Sequence, residues 1–233
     1  AVGASFAGAL AVTSTSGPGI CLKSEAMNLA VIMELPLVVL DVQRGGPATG
    51  LPTKSEQTDL LQVLFGRNGE SPMPVLAATS PTDCFDAAYM ACKIALEHMT
   101  PVVLLTDAFV ANGSGAFRLP NLAEYAAINP PYVPEELKGT WTPYQRQEEN
   151  GVRYWAVPGR EGFQHILGGL EKDNKTGAIS TDPENHDLMT RLRQQKIDAI
   201  PVPDLVIEGD AEDAELLIVG FGGTYGHLCE AMQ

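Results

Sequence analysis

The sequence is short of positive charge. Fifteen lysines and arginines stand against 29 aspartates and glutamates, a formal net charge of −14. A polyanion would be repelled by that field, which argues against nucleic acid as the ligand. No uninterrupted apolar run reaches the roughly 18 residues that a helical membrane span needs. The small, apolar opening AVGASFAGAL lacks the basic start of a signal peptide. Cysteine is scarce. Cys21, Cys84, Cys92 and Cys229 form no CxxC pair, and the interval between Cys84 and Cys92 fits no common zinc or iron–sulfur spacing. They read as buried, reduced thiols of a cytoplasmic protein. The histidines, His98, His165, His186 and His227, are scattered without an HExxH or an i,i+4 pair, so they predict surface or core roles and no metal site. The absence of a GxSxG elbow removes the support for a serine hydrolase.

What is present is a β–α alternation. A hydrophobic share of 45% over 233 residues suffices for a packed core. Leu10–Thr15 reads as a short strand, and apolar residues then recur at helical spacing from Ile20 to Glu34. Leu37–Val42 is a continuous apolar run, the pattern of a strand covered on both faces. Gln57–Phe65 reads as helix and Pro74–Ala78 as strand. Asp83–Met99 is an amphipathic helix with Thr82 as its predicted cap, and Pro101–Thr106 is a fourth buried strand. The alternation predicts an α/β fold, a parallel sheet flanked by helices, over residues 1–111. Residues 112–210 form a proline-rich connecting segment with a helix near Asn185–Gln195, expected to drape over a partner surface. Ala214–Phe221 then reads as a buried strand turning through GGTYG into a helix, His227–Met232, the start of a second α/β domain over 211–233. Since neither end completes a packed unit, the chain is expected to be an internal fragment.

Ligands of parallel sheets sit at the carboxyl ends of the strands. The loops predicted there are SGPG, QRGGPATG and TDAFVANGSG, each glycine-rich. Ser16-Gly17-Pro18-Gly19 opens a helix whose amides can face a ligand, although a bare SGPG is more often only a turn. Arg44 directly follows the buried strand, with Thr49, Thr53 and Lys54 close behind. A guanidinium there offers a planar fork to a carboxylate; by spacing alone it equally suits an ion pair with Asp41 or Glu34. Asp107, after the fourth strand, is read as a turn cap. Gly220–Gly226 (GFGGTYG) looks like a phosphate-cradling turn but misses the GxGxxG pattern.

The run TSTSGPGICLKSEAMNLAVIMELPLVVLDVQRGGPATGLPTKSEQTDLLQVLFGRNGE resembles the pyrimidine-binding domain of the alpha subunits of thiamine-diphosphate-dependent 2-oxoacid:ferredoxin oxidoreductases, the 2-oxoglutarate branch above all. GLEKDNKTGAISTDPENHDLMTRLRQQKI resembles the linker of the same subunits. ELLIVGFGGTYG resembles the opening of their next, transketolase-C-terminal-like domain. The QRGGPATGLPT string is the specific element.

The resemblance implies oxidative decarboxylation of 2-oxoglutarate to succinyl-CoA, with coenzyme A as co-substrate and electrons passed to ferredoxin. It implies a thiamine diphosphate whose thiazolium is the electron sink. It assigns Arg44 and Thr53 to the substrate carboxylate and puts Ser16, Gly17, Pro18 and Gly19 near the cofactor. The glutamate that activates the cofactor is expected ahead of Ala1, and neither Glu25 nor Glu34 is assigned its role. The diphosphate, Mg2+ and the iron–sulfur cluster are expected on a partner beta subunit, in a cytoplasmic complex with room for further small subunits; the chain alone is expected to be inactive. Two alternatives stand beside this reading. One is the same framework acting on pyruvate, branched-chain or aryl 2-oxoacids. The other is a non-catalytic nucleotide- or acyl-binding module or a subunit-docking element.

Overall fold

Four strands, β1 (Val12–Thr15), β2 (Leu37–Gln43), β3 (Val75–Ala77) and β4 (Pro101–Asp107), pair in parallel in the order β1-β2-β4-β3. They belong to a computed structural model that describes residues 1–210 and 212–232. β2 and β4 form the centre, in register from Leu37 opposite Pro101 to Gln43 opposite Asp107. Because successive side chains point to opposite faces, each central strand feeds two core layers. Leu37, Val39, Val103 and Leu105 pack with Ile20, Met27 and Ala30 of α2 (Gly17–Ile32) and Val63 of α3 (Leu60–Phe65). Val38, Val102 and Leu104 pack with Ala91, Ile94 and Ala95 of α4 (Cys84–His98), and Ile200 closes that layer. Each fully buried aliphatic side chain contributes about 1.5–3 kcal/mol, which is why the apolar runs become strands covered on both faces. A short helix, α1 (Val2–Phe6), precedes β1, and α5 (Ala108–Asn112) follows β4.

The predicted alternation is realised, with local differences. Thr82 does not cap α4. Asp83 occupies the cap position, but its carboxylate folds back to accept from the amide and hydroxyl of Thr79 at 2.7 and 2.9 Å, and Thr82 is hydrogen-bonded to Ser80 instead. The turn therefore uses the side chains that would otherwise reach the helix amides. The thiols are not all buried: Cys21 is exposed on α2, and Cys84, Cys92 and Cys229 are half-buried. Burial still pushes the Cys84 and Cys92 thiols up.

Part of the proline-rich stretch packs on the chain's own core. Val152 and Trp155 join Leu96 and Met99 at the end of α4, with Tyr132 stacked on Trp155 at 5.3 Å. The predicted helix runs longer, as α6 (Pro183–Asp198), with Asp182 accepting from the amides of Glu184 and Asn185. Ala214–Phe221 is not a strand. It is irregular, exposed over 214–220 with Leu217 at 83% and Val219 at 84% exposure, and only Phe221 packs against the core. A strand needs a ladder partner for its amides and carbonyls, and among the described residues none runs beside it. The helix after it, α7, covers Tyr225–Ala231.

Candidate active site

β1, β2 and β4 deliver their carboxyl ends to one edge, and there the loops enclose a cleft of ≈ 370 Å³. Ser14, Thr15, Ser16, Val42, Arg44, Thr53, Ala108 and Asn112 line it. The structure thus brings Arg44 and Thr53 together with the first residue of the SGPG turn. Ser14, Thr15 and Asn112 also reach this cleft and were not legible beforehand, because only the parallel pairing stacks the ends of β1 and β4 beside Arg44.

Arg44 makes neither of the ion pairs that its spacing allows, and no other among the described residues. Its Nε is buried without a hydrogen-bond partner. Glu34 lies at the opposite edge, held by Arg146 and Lys196. Asp41 faces Asp59 instead. An unsatisfied buried donor costs about 1–3 kcal/mol; the two terminal nitrogens of the guanidinium are not buried in this way and face the cleft side of the loop.

The loop that carries Arg44 and Thr53 is tied to itself. The amide of Gly45 donates to the carbonyl of Lys54 at 2.9 Å, that of Leu51 to Gly45 at 2.8 Å, and that of Gly46 to the Glu56 carboxylate at 2.7 Å. Ala48, Gly50 and Thr53 adopt φ of 54°, 48° and 61°. For a β-branched residue such as Thr53 that conformation is strained by roughly 1–3 kcal/mol, and strain of this kind gathers at ligand clamps. Its hydroxyl donates to the carbonyl of Pro52 at 2.6 Å, leaving its lone pairs free.

The SGPG turn starts α2 with Ser16 at the cap position and no side-chain cap bond. Both of its glycines sit at close approaches to side chains. A Cβ on Gly19 would lie 1.8 Å from Thr15 Oγ1, and one on Gly17 would lie 2.9 Å from both carboxylate oxygens of Asp59. Asp59 in turn contacts Asp41, which is fully buried with no hydrogen-bond partner for either oxygen outside that contact. Burial, then the neighbouring Asp59 charge, pushes Asp41 up to about 7, against the pull of Lys23; Asp59 is also raised, by burial. The signal for this pair was a single acid inside the apolar run LVVLDV.

The other half of the edge is filled. Asp107 caps α5, as expected, accepting from the amide of Val110 at 2.9 Å. Its second oxygen accepts from Gln57 Nε2 at 3.0 Å, and Gln57 also reaches the carbonyl of Phe221 at 3.4 Å. The glycine turn after Phe221 rests on this group: a Cβ on Gly223 would lie 2.3 Å from Asp107 Oδ2. A carboxylate so close is the wrong charge for a phosphate, and the turn acts as a plug over β3 and β4. Among the described residues no three potential metal ligands come together. His165 and His186 are hydrogen-bonded, to the carbonyl of Phe163 and to Glu171, whereas the buried Nδ1 of His98 has no partner.

Fold and cleft define a parallel α/β domain with a small cleft, lined by an arginine without an ion pair among the described residues, at its carboxyl edge. More particularly, the chain belongs to the family described as pyruvate flavodoxin/ferredoxin oxidoreductase, thiamine diphosphate-binding, which matches residues 1–193. A 2-oxoglutarate oxidoreductase subunit KorA of Mycobacterium tuberculosis is 55% identical over 100% of this chain and 35% of its own length. A 2-oxoglutarate synthase subunit KorA of Archaeoglobus fulgidus is 34% identical over 96% of this chain and 56% of its own. A 2-oxoglutarate:ferredoxin oxidoreductase from Magnetococcus marinus, solved with 2-oxoglutarate, coenzyme A and succinyl-CoA bound, matches with a TM-score of 0.90 at 36% identity, over 99% of this chain and 40% of that one. The chain therefore spans from about a third to somewhat over half of these relatives' lengths.

Proposed function

We propose that the chain is part of the alpha subunit of a 2-oxoglutarate:ferredoxin oxidoreductase, in which the cleft at the carboxyl edge receives the 2-oxoacid. The observation that carries the reading is Arg44, a half-buried guanidinium without an ion pair, opening on a cleft of ≈ 370 Å³. Its planar fork is matched to a carboxylate and can hold it at two points. Thr53 adds a hydroxyl from a strained backbone position, so the substrate meets preset groups. The relatives named for 2-oxoglutarate favour that acid over pyruvate or branched-chain and aryl 2-oxoacids.

Thiamine diphosphate, when bound, would supply the electron sink for loss of carbon dioxide from the 2-oxoacid. The residues present fit its near approach. Ser14, Thr15 and Ser16, each carrying a hydroxyl, line the cleft where the SGPG turn begins. This chain's own part is to bind and orient: Arg44 fixes the carboxylate, Thr53 joins it when its hydroxyl turns from the Pro52 carbonyl to donate to the ligand, and the SGPG turn shapes the floor. A beta subunit would hold the diphosphate, Mg2+ and the iron–sulfur cluster, ferredoxin would take the electrons, and coenzyme A would take the acyl group, in a cytoplasmic complex. The strand-like segment 214–221 would open the next domain of the subunit.

The test is turnover by the intact complex, with coenzyme A and an electron-accepting dye, on 2-oxoglutarate and on pyruvate. Preference for 2-oxoglutarate is expected. Preference for pyruvate would reassign the substrate, and no turnover on any 2-oxoacid would remove the reading.

A further inference from the structure

Behind the cleft lies a pair of acids to which the proposed chemistry gives no task. Asp41, paired in register with Thr15 on β1, is the one acid within β2. It is 0% exposed, and neither oxygen meets a donor. Asp59, 9% exposed, comes from the residue before α3, where its amide donates to Gln43 Oε1 at 3.1 Å. Gln43 in turn donates to the carbonyl of Thr106 at 3.2 Å, so β2, β4 and α3 together fix where Asp59 stands. The first turn of α2 lies against the Asp59 carboxylate at Gly17. The charged groups acting on the pair are Lys23 from α2, on Asp41, and Glu56 from the loop before α3, on Asp59.

Two ionised carboxylates in contact, one of them fully buried, repel each other at a cost that neither the protein's donors nor Lys23 offsets. One proton between them removes the repulsion and supplies the missing donor. The exposures say where each charge belongs. Asp59 is also buried, at 9% exposure, and its Oδ2 has no donor, but it retains more solvent than Asp41 and lies against the amino end of α2, which favours an anion. Asp41 has neither advantage and keeps the proton.

We propose that Asp41 and Asp59 share one proton and that this singly protonated pair is a positioning device for the cleft, supporting the SGPG turn through Gly17. When the proton leaves at higher pH, the two charges push apart, Asp59 presses on Gly17, and the wall of the cleft formed by Ser16 shifts. The device makes ligand binding, rather than the bond-breaking step, sensitive to alkaline pH. Only the activity readout below rests on the proposed 2-oxoacid chemistry.

The test uses the intact complex. Infrared spectra of protein labelled at aspartate carboxyl carbons, recorded from about pH 5 to about pH 9, should show a protonated-carboxyl band at pH values where an ordinary aspartate is already ionised. The band should disappear near neutrality and be missing in Asp41→Asn. Stability gives a second reading without substrate. A carboxyl raised from its ordinary 3.8 to about 7 contributes stability that is present at low pH and lost as pH rises across that interval. Asp41→Asn should abolish that loss. In turnover, Asp59→Asn keeps a donor toward Asp41 permanently. Its KM for 2-oxoglutarate should stay level where that of the unaltered enzyme climbs several-fold with pH, while kcat follows the same pH curve in both. Three results would overturn the proposal: no protonated band above the ordinary aspartate range, an Asp59→Asn KM that tracks the unaltered enzyme, or stabilisation by added potassium or magnesium that Asp41→Asn removes, which would mark a cation between the acids. If the complex turns over no 2-oxoacid, the infrared and stability measurements still decide whether the proton is shared.

Discussion

Glu34 and Arg146, 112 positions apart, meet as a two-point ion pair at the edge where the sheet begins. Lys196 Nζ adds a third contact at 2.7 Å and also donates to the carbonyl of Met99, while Arg153 Nε donates to the backbone carbonyl of Glu34 at 3.1 Å. One fully buried carboxylate thus fastens the connecting segment and α6 to the core, opposite the cleft. Arg146 and Lys196 hold its carboxyl well below the usual carboxylate range against the effect of burial. Glu34→Gln leaves buried cations uncompensated and should cost about 3–5 kcal/mol in urea denaturation. Because the folded pKa is depressed, this contribution is present above the ordinary value of 4.5 and fades as pH falls through the folded value. The gap between variant and unaltered protein should therefore narrow in acid.

Arg44 presents the reverse case, a guanidinium that the fold itself does not use. Arg44→Ala should not destabilise the protein, since no ion pair is lost, and by removing the unpartnered Nε it should stabilise it by up to about 1–3 kcal/mol. It should raise KM for 2-oxoglutarate in the intact complex by about 10- to 100-fold, the value of a charged hydrogen-bonded contact. Arg44→Lys restores the charge but not the fork and should recover only part of that loss. A large stability loss with KM unmoved would show that Arg44 is structural.

How far this arrangement could be read beforehand depends on how local each determinant is. LVVLDV and PVVLLT announce strands covered on both faces because burial is written in consecutive residues. Arg44 and Thr53 were legible because one loop carries both. Glu34–Arg146–Lys196 was not, because it joins residues up to 162 positions apart and no spacing rule connects them. Asp41–Asp59 was half legible: an acid in an apolar strand is a signal, but its partner is set by the docking of α3. The Ala214–Phe221 prediction failed for a related reason, since an apolar run specifies a strand only where a neighbouring strand exists to receive it.

Gly50 decides whether the Arg44 loop can close. It has φ +48°, and a Cβ there would fall 1.7 Å from the backbone oxygen of Gly45. Gly69 is a matched control, with φ +67° and open space around it. Gly69→Ala should cost about 1–2 kcal/mol, the left-handed backbone penalty alone, and leave KM unchanged. Gly50→Ala must also break the Leu51 to Gly45 hydrogen bond. It should cost more and raise KM, because Arg44 and Thr53 then lose their common orientation.

The exposed run Leu216, Leu217, Ile218 and Val219 is the largest local conflict between sequence and surroundings, since aliphatic side chains in series are left facing water. Its residues have strand propensity and lack only a partner. If the segment opens the next domain of a longer subunit, its amides should exchange with deuterium within seconds in the 233-residue chain and be strongly protected in the full-length protein. The amides of β2 and β4 should be protected in both. Val219→Asp should be tolerated in the short chain, where the side chain already meets solvent, and should destabilise the full-length protein by about 2 kcal/mol or more through an unpaired buried charge. Equal exchange of 214–221 in both lengths would instead make the segment a linker that leads to the turn at Gly222–Thr224, which Gln57, Asp107 and the packing of Phe221 hold in place.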